Sequence, residues 1–304
     1  SAPMTLEYRT ARADELATAQ ALVVSSINDL TTRHGFGAIA TVRPPVFQAF
    51  SLQDDPDGLW VAEDNGEMRG FAFSWASGDL WFLAELFVVP GNQSRGIGNE
   101  LLKRTLQHAE RRRAASKALI TFAFNTSSQG LYIRHGILPR TPIYNVSVSR
   151  EILQSRLPGE ENMRAVPIDG SAGQLQVLAQ ADASALGTSR DKHHRFLLAD
   201  QGMKGVLLYD GSDPVGYAYV AAGGHIGPMA VTRPGLLGHA FRTALRLALD
   251  IGAAQASAFI PGTASKALEA AIQAGMRIAF PMLLMSSREF GDWRRYLPRN
   301  PGFM

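Results

Sequence analysis

Apolar residues along the chain follow two periods that alternate with each other. Short apolar runs at residues 86–89 and 118–124 are typical of β-strands buried in a sheet. Between these runs, residues 99–113 carry apolar side chains with the spacing of one helical face, which predicts an amphipathic helix lying on that sheet. Its apolar positions are Leu101, Leu102, Leu106 and Ala109. The alternation of strand and helix signals predicts an α+β fold.

The same order of signals occurs twice along the chain. Residues 58–73 and residues 205–219 each consist of two β-rich runs around a polar turn with glycine, which predicts a β-hairpin in each half. A predicted helix precedes each hairpin, over residues 11–31 in the first half and 173–185 in the second. A strand, a helix, a second strand and a second helix follow each hairpin. The offset of roughly 140 residues indicates two copies of one fold in tandem.

A polar stretch with Pro-Gly punctuation at residues 156–160 is typical of a junction between domains. We therefore expect one domain over residues 1–155 and a second over residues 156–304. The length of 304 residues suits two domains of about 150 residues each. Residues 293–301 are rich in arginine and aromatic side chains, and they either fold back onto the protein or form an interface.

Composition narrows the functions that are open to the chain. The hydrophobic content of 46% and the charged content of 19% are those of a globular protein with a buried core. The absence of cysteine excludes disulfides, thiolate nucleophiles and cysteine-ligated metals. The net charge of +3 is not concentrated in a basic stripe, so we expect no nucleic-acid partner. No apolar run approaches the roughly 18 residues that span a bilayer, and the first residues lack signal-peptide features. We expect a cytoplasmic protein without membrane contact.

Residues 93–98, Gln-Ser-Arg-Gly-Ile-Gly, join the apolar run at 86–89 to the predicted helix. Backbone N–H groups converge where a glycine-containing turn opens a helix, and the helix dipole adds roughly half a positive charge there. Glycine at positions 96 and 98 lets the main chain approach a phosphate closely. The spacing fits neither the Gly-x-x-x-x-Gly-Lys-Ser/Thr loop nor the dinucleotide-binding Gly-x-Gly-x-x-Gly. We expect an anion site at this turn.

With the Val-x-Pro before it, this loop resembles the pyrophosphate loop of the GCN5-related N-acetyltransferases (the GNAT superfamily), which hold acetyl-coenzyme A. A second segment supports the resemblance. Asn125 ends a predicted strand, and residues 131–137 read Leu-Tyr-Ile-Arg-His-Gly-Ile, with Ile137 where the family usually has phenylalanine. The resemblance implies two tandem GNAT-like domains, each a mixed, mostly antiparallel twisted sheet flanked by helices.

The resemblance assigns roles to individual residues of the first copy. Tyr132 would protonate the departing thiolate of the coenzyme. Glu85 would take a proton from the substrate ammonium, which is not nucleophilic while it is protonated. The residues expected to bind acetyl-CoA are Val88, Val89, Gln93, Ser94, Arg95, Gly96, Ile97, Gly98, Asn99 and Asn125. No metal is implied. Judged by themselves, Tyr132 also suits a half-buried core position, and Glu85 also suits a structural pair with an arginine.

The second copy lacks these groups. In the alignment of the two halves, Ala271 stands at the position of Tyr132, and Gly227 stands at the position of Glu85. The loop becomes residues 233–238, which follow the aligned valine more closely than residues 93–98 do and include a proline without an N–H group. We expect the second copy to be catalytically silent and to support the first through packing or as one wall of the acceptor cleft.

The sequence thus predicts an acyl-CoA-dependent N-acetyltransferase that moves an acetyl group to a primary amine of a small molecule by direct attack in a ternary complex. Two alternatives stay open. One is a protein that senses coenzyme A or an acyl-CoA without turnover, and the other is an acetyltransferase that acts on protein lysines. Candidate acceptor contacts are His34, Phe36, Trp75, Trp81 and Phe124, of which His34 is also an alternative base. We expect a monomer or a homodimer.

Overall fold

The computed structural model describes residues 5–92, 96–159 and 163–304, and the chain divides into two compact units. The first unit contains the chain up to Ile120 together with Phe124–Leu138 and Ser286–Arg288. The second unit contains Thr121–Ala123, Pro139–Met285 and Glu289–Met304. The units do not follow the chain in order, because the segment after residue 138 packs in the second unit.

The first unit begins with a strand and two helices, continues with three strands, and ends with a helix, a strand and a helix. In chain order these are β1 (Leu6–Thr10), α1 (Leu16–Arg33), α2 (Val46–Asp54), β2 (Leu59–Asp64), β3 (Glu67–Ser77), β4 (Leu80–Val88), α3 (Ile97–Arg111), β5 (Ser116–Phe122) and α4 (Thr126–Arg134). The hairpin predicted over residues 58–73 is β2–β3, and the helix predicted over residues 99–113 is α3. The helix predicted over residues 11–31 starts later, at Leu16, because Ala13–Glu15 form a 3-10 turn.

The sheet of the first unit is mixed. Strands β1, β2, β3 and β4 are antiparallel neighbours, and β5 runs parallel to β4. The register between β4 and β5 covers only Leu80–Leu83, although β4 continues to Val88. Phe73 on β3 faces Glu85, and the next residue of β3 faces Leu83, so Ala84 is the extra residue of a β-bulge in β4. The bulge lies where β4 loses its pairing with β5.

Helix α3 approaches the sheet closely because β3 carries a glycine beneath it. A Cβ atom at Gly70 would lie 2.8 Å from Leu101 Cδ1 and 3.0 Å from Ile97 Cγ2, so a larger residue would push the helix away. The predicted apolar face of α3 is confirmed at Leu101, Leu102 and Ala109, which are buried. Leu106 is only half-buried.

The second unit repeats this order and adds strands at both ends of it. Its elements are β6 (Leu138–Ser149), α5 (Arg150–Arg156), β7 (Arg164–Pro167), α6 (Ala172–Leu186), α7 (Asp191–Leu198), β8 (Met203–Asp210), β9 (Asp213–Ala221), β10 (His225–Val231), α8 (Leu237–Asp250), β11 (Gln255–Pro261), α9 (Ser265–Gln273), β12 (Arg277–Ser286) and β13 (Tyr296–Leu297). Strands β7, β8, β9 and β10 are antiparallel neighbours, while β10 and β11 are parallel. Strand β6, which belongs to the first repeat, pairs antiparallel through residues 143–149 with the whole of β11. The predicted α+β architecture, two tandem domains with mixed, mostly antiparallel strand pairing flanked by helices, is confirmed.

A buried polar chain fixes the C-terminal end of α3 in the first unit. Ser74 Oγ lies 2.8 Å from His108 Nδ1, and His108 Nε2 donates to Asp55 Oδ2 at 2.7 Å. Arg112 Nη2 lies 2.7 Å from the other oxygen of Asp55. Burial alone would raise the pKa of Asp55, but the hydrogen bonds from His108 and Arg112 outweigh it and hold that pKa well below its usual range. Although serine, histidine and aspartate also form nucleophile triads, all three side chains are buried here, and they act as a brace.

We expect Asp55→Asn to lower the free energy of unfolding by about 2–4 kcal/mol, because it removes the buried charge that pairs with His108 and Arg112. Asp57→Asn is the control, since it breaks an exposed ion pair with Arg111 and should cost about 1 kcal/mol or less. Chemical denaturation measures both. Because the pKa of Asp55 is lower in the folded than in the unfolded protein, its charge stabilises the fold above the unfolded pKa. The difference in the free energy of unfolding between wild type and Asp55→Asn should therefore shrink as the pH falls below about 4. Equal losses in the two variants would contradict the brace.

Candidate active site

Three elements of the first unit meet around the start of α3. A Cβ atom at Gly98 would lie 3.8 Å from both Val88 Cγ2 and Leu131 Cδ2, which puts the end of β4 and the side of α4 next to that glycine. His135 Nε2 donates to Asn99 Oδ1 at 2.9 Å and ties the end of α4 to the first turn of α3. Burial, followed by Lys103 and Arg134, lowers the pKa of His135, so its ring is neutral at pH 7. Segments 36 positions apart in the chain are thereby brought together.

The first turn of α3 has the geometry expected of an anion site. Gly96 is its N-cap and has a φ of +77°, a left-handed conformation that favours glycine. The N–H groups that follow it have no acceptor within the helix, and the helix dipole places partial positive charge there. A Cβ atom at Gly98 would be in ordinary van der Waals contact with Val88 and Leu131, both at 3.8 Å. The predicted contacts Gln93, Ser94 and Arg95 lie outside the described residues.

The backbone of β4 beyond the bulge has one edge that faces away from β3. Val89 N–H donates to Arg69 O on the β3 side at 2.9 Å. Because consecutive strand residues direct their N–H groups to opposite edges, Val88 directs its own to the β5 side. In the part of the chain that the structure describes, no strand pairs with β4 on that side after Leu83. The β5-side edge of β4 thus carries no strand beyond Leu83 within the described residues, whereas the N–H of Val89 is already used on the β3 side.

Tyr132 lies on α4 and is buried. Asn125 caps α4, since its Oδ1 accepts from Ser128 N–H at 3.3 Å. Ser128 is one helical turn before Tyr132 and hydrogen-bonds its phenol. Burial raises the pKa of Tyr132 well above its usual value, and the bond with Ser128 opposes the shift only in part. The phenol therefore keeps its proton across the physiological range and can act as a proton donor.

Glu85 lies beside the bulge and is held by a glutamine. Its Oε1 accepts from Gln48 Nε2 at 3.0 Å, and Gln48 also donates to Gln20 Oε1 at 2.9 Å. Burial of the carboxyl raises the pKa of Glu85 to about 7, against a lowering by the Gln48 hydrogen bond. A carboxyl that titrates near neutrality is suited to general-base work. The sequence reasoning missed Gln48 and Gln20, because no local signal relates these helical residues to a strand.

The aromatic candidates fall into two groups. His34 ends α1, donates from Nδ1 to Leu30 O, and lies 4.9 Å between ring centroids from Phe124. Phe36 stacks on the same phenylalanine at 4.8 Å and is 39% exposed. The rings of Trp75 and Trp81 are buried in the core of the unit instead. Phe124, on which His34 and Phe36 pack, directly precedes Asn125, the cap of α4.

The second unit has the same bulge with different side chains. Ile226 on β10 faces Val220, and Met229 faces Ala218, so the residues at the bulge are Gly227 and the proline after it, neither of which has a carboxyl group. Ala271 is buried in α9 at the position that corresponds to Tyr132.

The described residues hold no group of three or more histidine, cysteine or acidic side chains that is placed to bind a metal ion. Nor does any helix within those residues have the length and apolar character needed to cross a bilayer.

Comparison of the sequence with known proteins matches part of the chain to one family. Residues 25–137 match the model of the acetyltransferase (GNAT) family. An uncharacterized N-acetyltransferase of Bacillus subtilis (strain 168), YhfO, is 32% identical over 91 residues, which are 28% of this chain and 61% of that protein. The chain thus matches less than two thirds of this curated relative.

Two solved structures match almost the whole chain. A candidate acetyltransferase from Pyrococcus horikoshii superposes with a TM-score of 0.77 at 18% identity, over 98% of this chain and 96% of its own. A tandem GNAT protein from the clavulanic acid biosynthesis pathway superposes with a TM-score of 0.62 at 15% identity, over 94% and 99%. At such identities the likeness shows the fold. The chain therefore has the fold of these two-domain acetyltransferase structures, and its residues 25–137 match the acetyltransferase (GNAT) family.

Proposed function

We propose that the first unit transfers an acetyl group from acetyl-CoA to the primary amine of a small molecule. One observation carries the proposal: the half-buried carboxyl of Glu85 beside the bulge is held by Gln48 at 3.0 Å and has a pKa raised to about 7, while the buried phenol of Tyr132 has a raised pKa and keeps its proton. The carboxyl of Glu85 is near half-ionised at neutrality, whereas Tyr132 holds its proton. A base and an acid that differ in this way suit a reaction that removes one proton and supplies another.

The coenzyme seat is the open edge of β4 together with the first turn of α3. The N–H groups after Gly96 bind the diphosphate. Val88 contacts the pantetheine arm along the β5-side edge of β4, which no strand of the described residues covers after Leu83, and Asn125 caps α4. When bound, acetyl-CoA supplies an acyl thioester whose acetyl group passes directly to the amine, so that a C–N bond forms and a C–S bond breaks.

Glu85 prepares the amine for this attack. An alkyl ammonium has a pKa near 10, so its nitrogen lone pair is blocked until a base takes the proton. The Glu85 carboxylate is that base, and Gln48 holds it in one orientation through Oε1. Tyr132 donates a proton to the departing sulfur. Burial raises the pKa of the phenol and so makes it a weaker acid. The same burial disfavours the departing thiolate and so makes it a stronger proton acceptor, which offsets the effect on the phenol.

The acceptor side favours an amine with an apolar or aromatic body. His34, Phe36 and Phe124 form the exposed aromatic group, and α2, which carries Gln48, follows the same loop along the chain. The sequence between Asp29 and Asp54 contains no acidic residue, so nothing in this stretch attracts a polycation. Buried Trp75 and Trp81 would support such a pocket from within the core.

We expect Tyr132→Phe to reduce thiol release from acetyl-CoA by about 100-fold or more on an amine panel, while the Kd for the coenzyme is unchanged, because only the proton donor is lost. The panel contains an arylalkylamine, an amino sugar, a polyamine and a lysine peptide. Tyr209→Phe in the second unit is the control. Tight coenzyme binding without thiol release on any amine would favour the sensor alternative instead.

We expect kcat/KM to rise with pH along a limb near pH 7 that reports Glu85. Glu85→Gln should flatten this limb and lower kcat/KM by about 100-fold, and Gln48→Met should move the limb to higher pH because the donor that lowers the carboxyl pKa is gone. Because the pKa of Glu85 is higher in the folded than in the unfolded protein, the wild type should lose stability as the pH rises from about 4.5 to about 7, and Glu85→Gln should not. An unchanged limb in both variants would assign the base elsewhere, with His34 the next candidate.

We expect Gly96→Ala to raise the Kd for coenzyme A about fivefold or more, since an L-residue at this positive φ costs roughly 1–2 kcal/mol and distorts the first turn of α3. Gly211→Ala is the matched control, because Gly211 also has a positive φ but lies in the second unit. Calorimetric titration measures both. Equal affinity in wild type and Gly96→Ala would argue against this anion site.

A further inference from the structure

The second unit has a groove that corresponds to the open edge of β4, and it is not open. Strands β10 and β11 pair in parallel only at His225–Ser257 and Ile226–Ala258, as β4 and β5 pair only over the first half of β4. Beyond that point β10 pairs antiparallel with β13, Met229 facing Leu297 and Ala230 facing Tyr296.

Strand β13 lies on the β11 side of β10. A strand has two edges, and the β9 edge of Met229 and Ala230 is already paired with Ala218 and Tyr217. The pairing with β13 must therefore use the opposite edge, and β13 also lies against β11. This edge of β10 corresponds to the β5-side edge of β4 in the first unit.

The chain after β13 passes over the bulge. A Cβ atom at Gly227 would lie 2.7 Å from Pro298 O and 3.0 Å from Arg299 Cα, so the segment's backbone fills the space where a side chain would project. His225 Nε2 donates to Arg299 O, and Arg299 Nη1 lies 3.4 Å from Gly227 O. The segment thus covers the position that corresponds to Glu85.

Buried contacts hold the segment in place. The side chains of Tyr296 and Leu297 are fully buried. Arg190, itself 2% exposed, donates to the Tyr296 hydroxyl at 2.8 Å and to Phe303 O at 2.6 Å. Of the two possibilities for the arginine-rich and aromatic stretch at residues 293–301, the structure shows that it folds back onto its own unit.

We propose that the groove between β10 and β11 is a peptide-strand site, filled by residues 295–299 of the same chain, and that this strand excludes coenzyme A from the second unit. The segment pairs with the strand edge through its backbone, as an extended ligand would. The proposal depends on the proposed function only for the identity of the excluded ligand.

A disulfide across the groove tests whether the strand is seated. The chain has no cysteine, so an introduced pair is unique. Val231 N–H donates to Arg295 O at 2.9 Å, and these residues continue the register of β10 with β13. Opposed residues of an antiparallel pair lie about 4.5–5.5 Å apart at Cα, which a disulfide spans. We expect Val231→Cys with Arg295→Cys to form this bond, and Val231→Cys with Arg299→Cys to form none. Failure of the first pair would overturn the strand site.

Calorimetry on the same variant tests the exclusion. We expect one coenzyme A per chain, with Kd equal within about twofold before and after the disulfide forms, because the first unit binds it. Two coenzymes per reduced chain and one per oxidised chain would overturn the proposal, since the groove would then be a coenzyme site that the strand only gates. Protection of the Met229 and Val231 amides from hydrogen exchange by added coenzyme would overturn it too. If neither the reduced nor the oxidised protein binds coenzyme A, the proposed function is refuted. Disulfide formation, and hydrogen exchange of the two amides without ligand, would still decide whether the strand occupies the groove.

Discussion

Hydrogen bonding between the parallel strands at the centre of each unit stops halfway along them, and the backbone groups beyond that point need partners. Buried N–H and C=O groups without partners are costly, so an open strand edge inside a fold is satisfied by another strand, by solvent or by a ligand. In the first unit the described residues leave this edge of β4 free of strand pairing after Leu83. In the second unit β13 takes the corresponding edge of β10.

The bulge in β4 couples this edge to the proposed chemistry. One extra residue, Ala84, changes the facing of the strand beyond it and ends the pairing with β5 at the same place. Glu85 follows directly and is half-buried, and this desolvation raises its pKa towards neutrality. Burial also raises the pKa of Tyr132, but in a phenol the same effect strengthens the hold on the proton. Desolvation alone therefore gives one group the properties of a base and the other those of a donor.

The sequence predicted what is local and missed what is tertiary. The turn that ends at Gly98 and the helix after Asn125 are encoded by neighbouring residues, and the structure has the corresponding helix starts at Ile97 and Thr126. The tandem fold followed from the repeat and is confirmed. The link from Gln48 to Glu85 could not be predicted, because α2 follows a Pro-rich loop without a clear apolar face, and its partner lies 37 positions away. Nor could the hydrophobic periodicity predict that β6 packs in the second unit, because the alternation of residues along a strand does not identify the neighbouring strand.

The two copies show why a carboxylate at the bulge and a strand in the groove exclude each other. Any side chain at Gly227 would meet the backbone of Pro298 and Arg299, so a glutamate there would require the segment to leave. Conversely, a strand seated on β4 as β13 is on β10 would pass over Glu85. A covalently attached strand is also present at an effective concentration that a freely diffusing ligand rarely matches. Once such a strand was seated, glycine at the bulge was the residue that fitted beneath it. The missing base and the filled groove of the second unit are therefore two aspects of one packing arrangement.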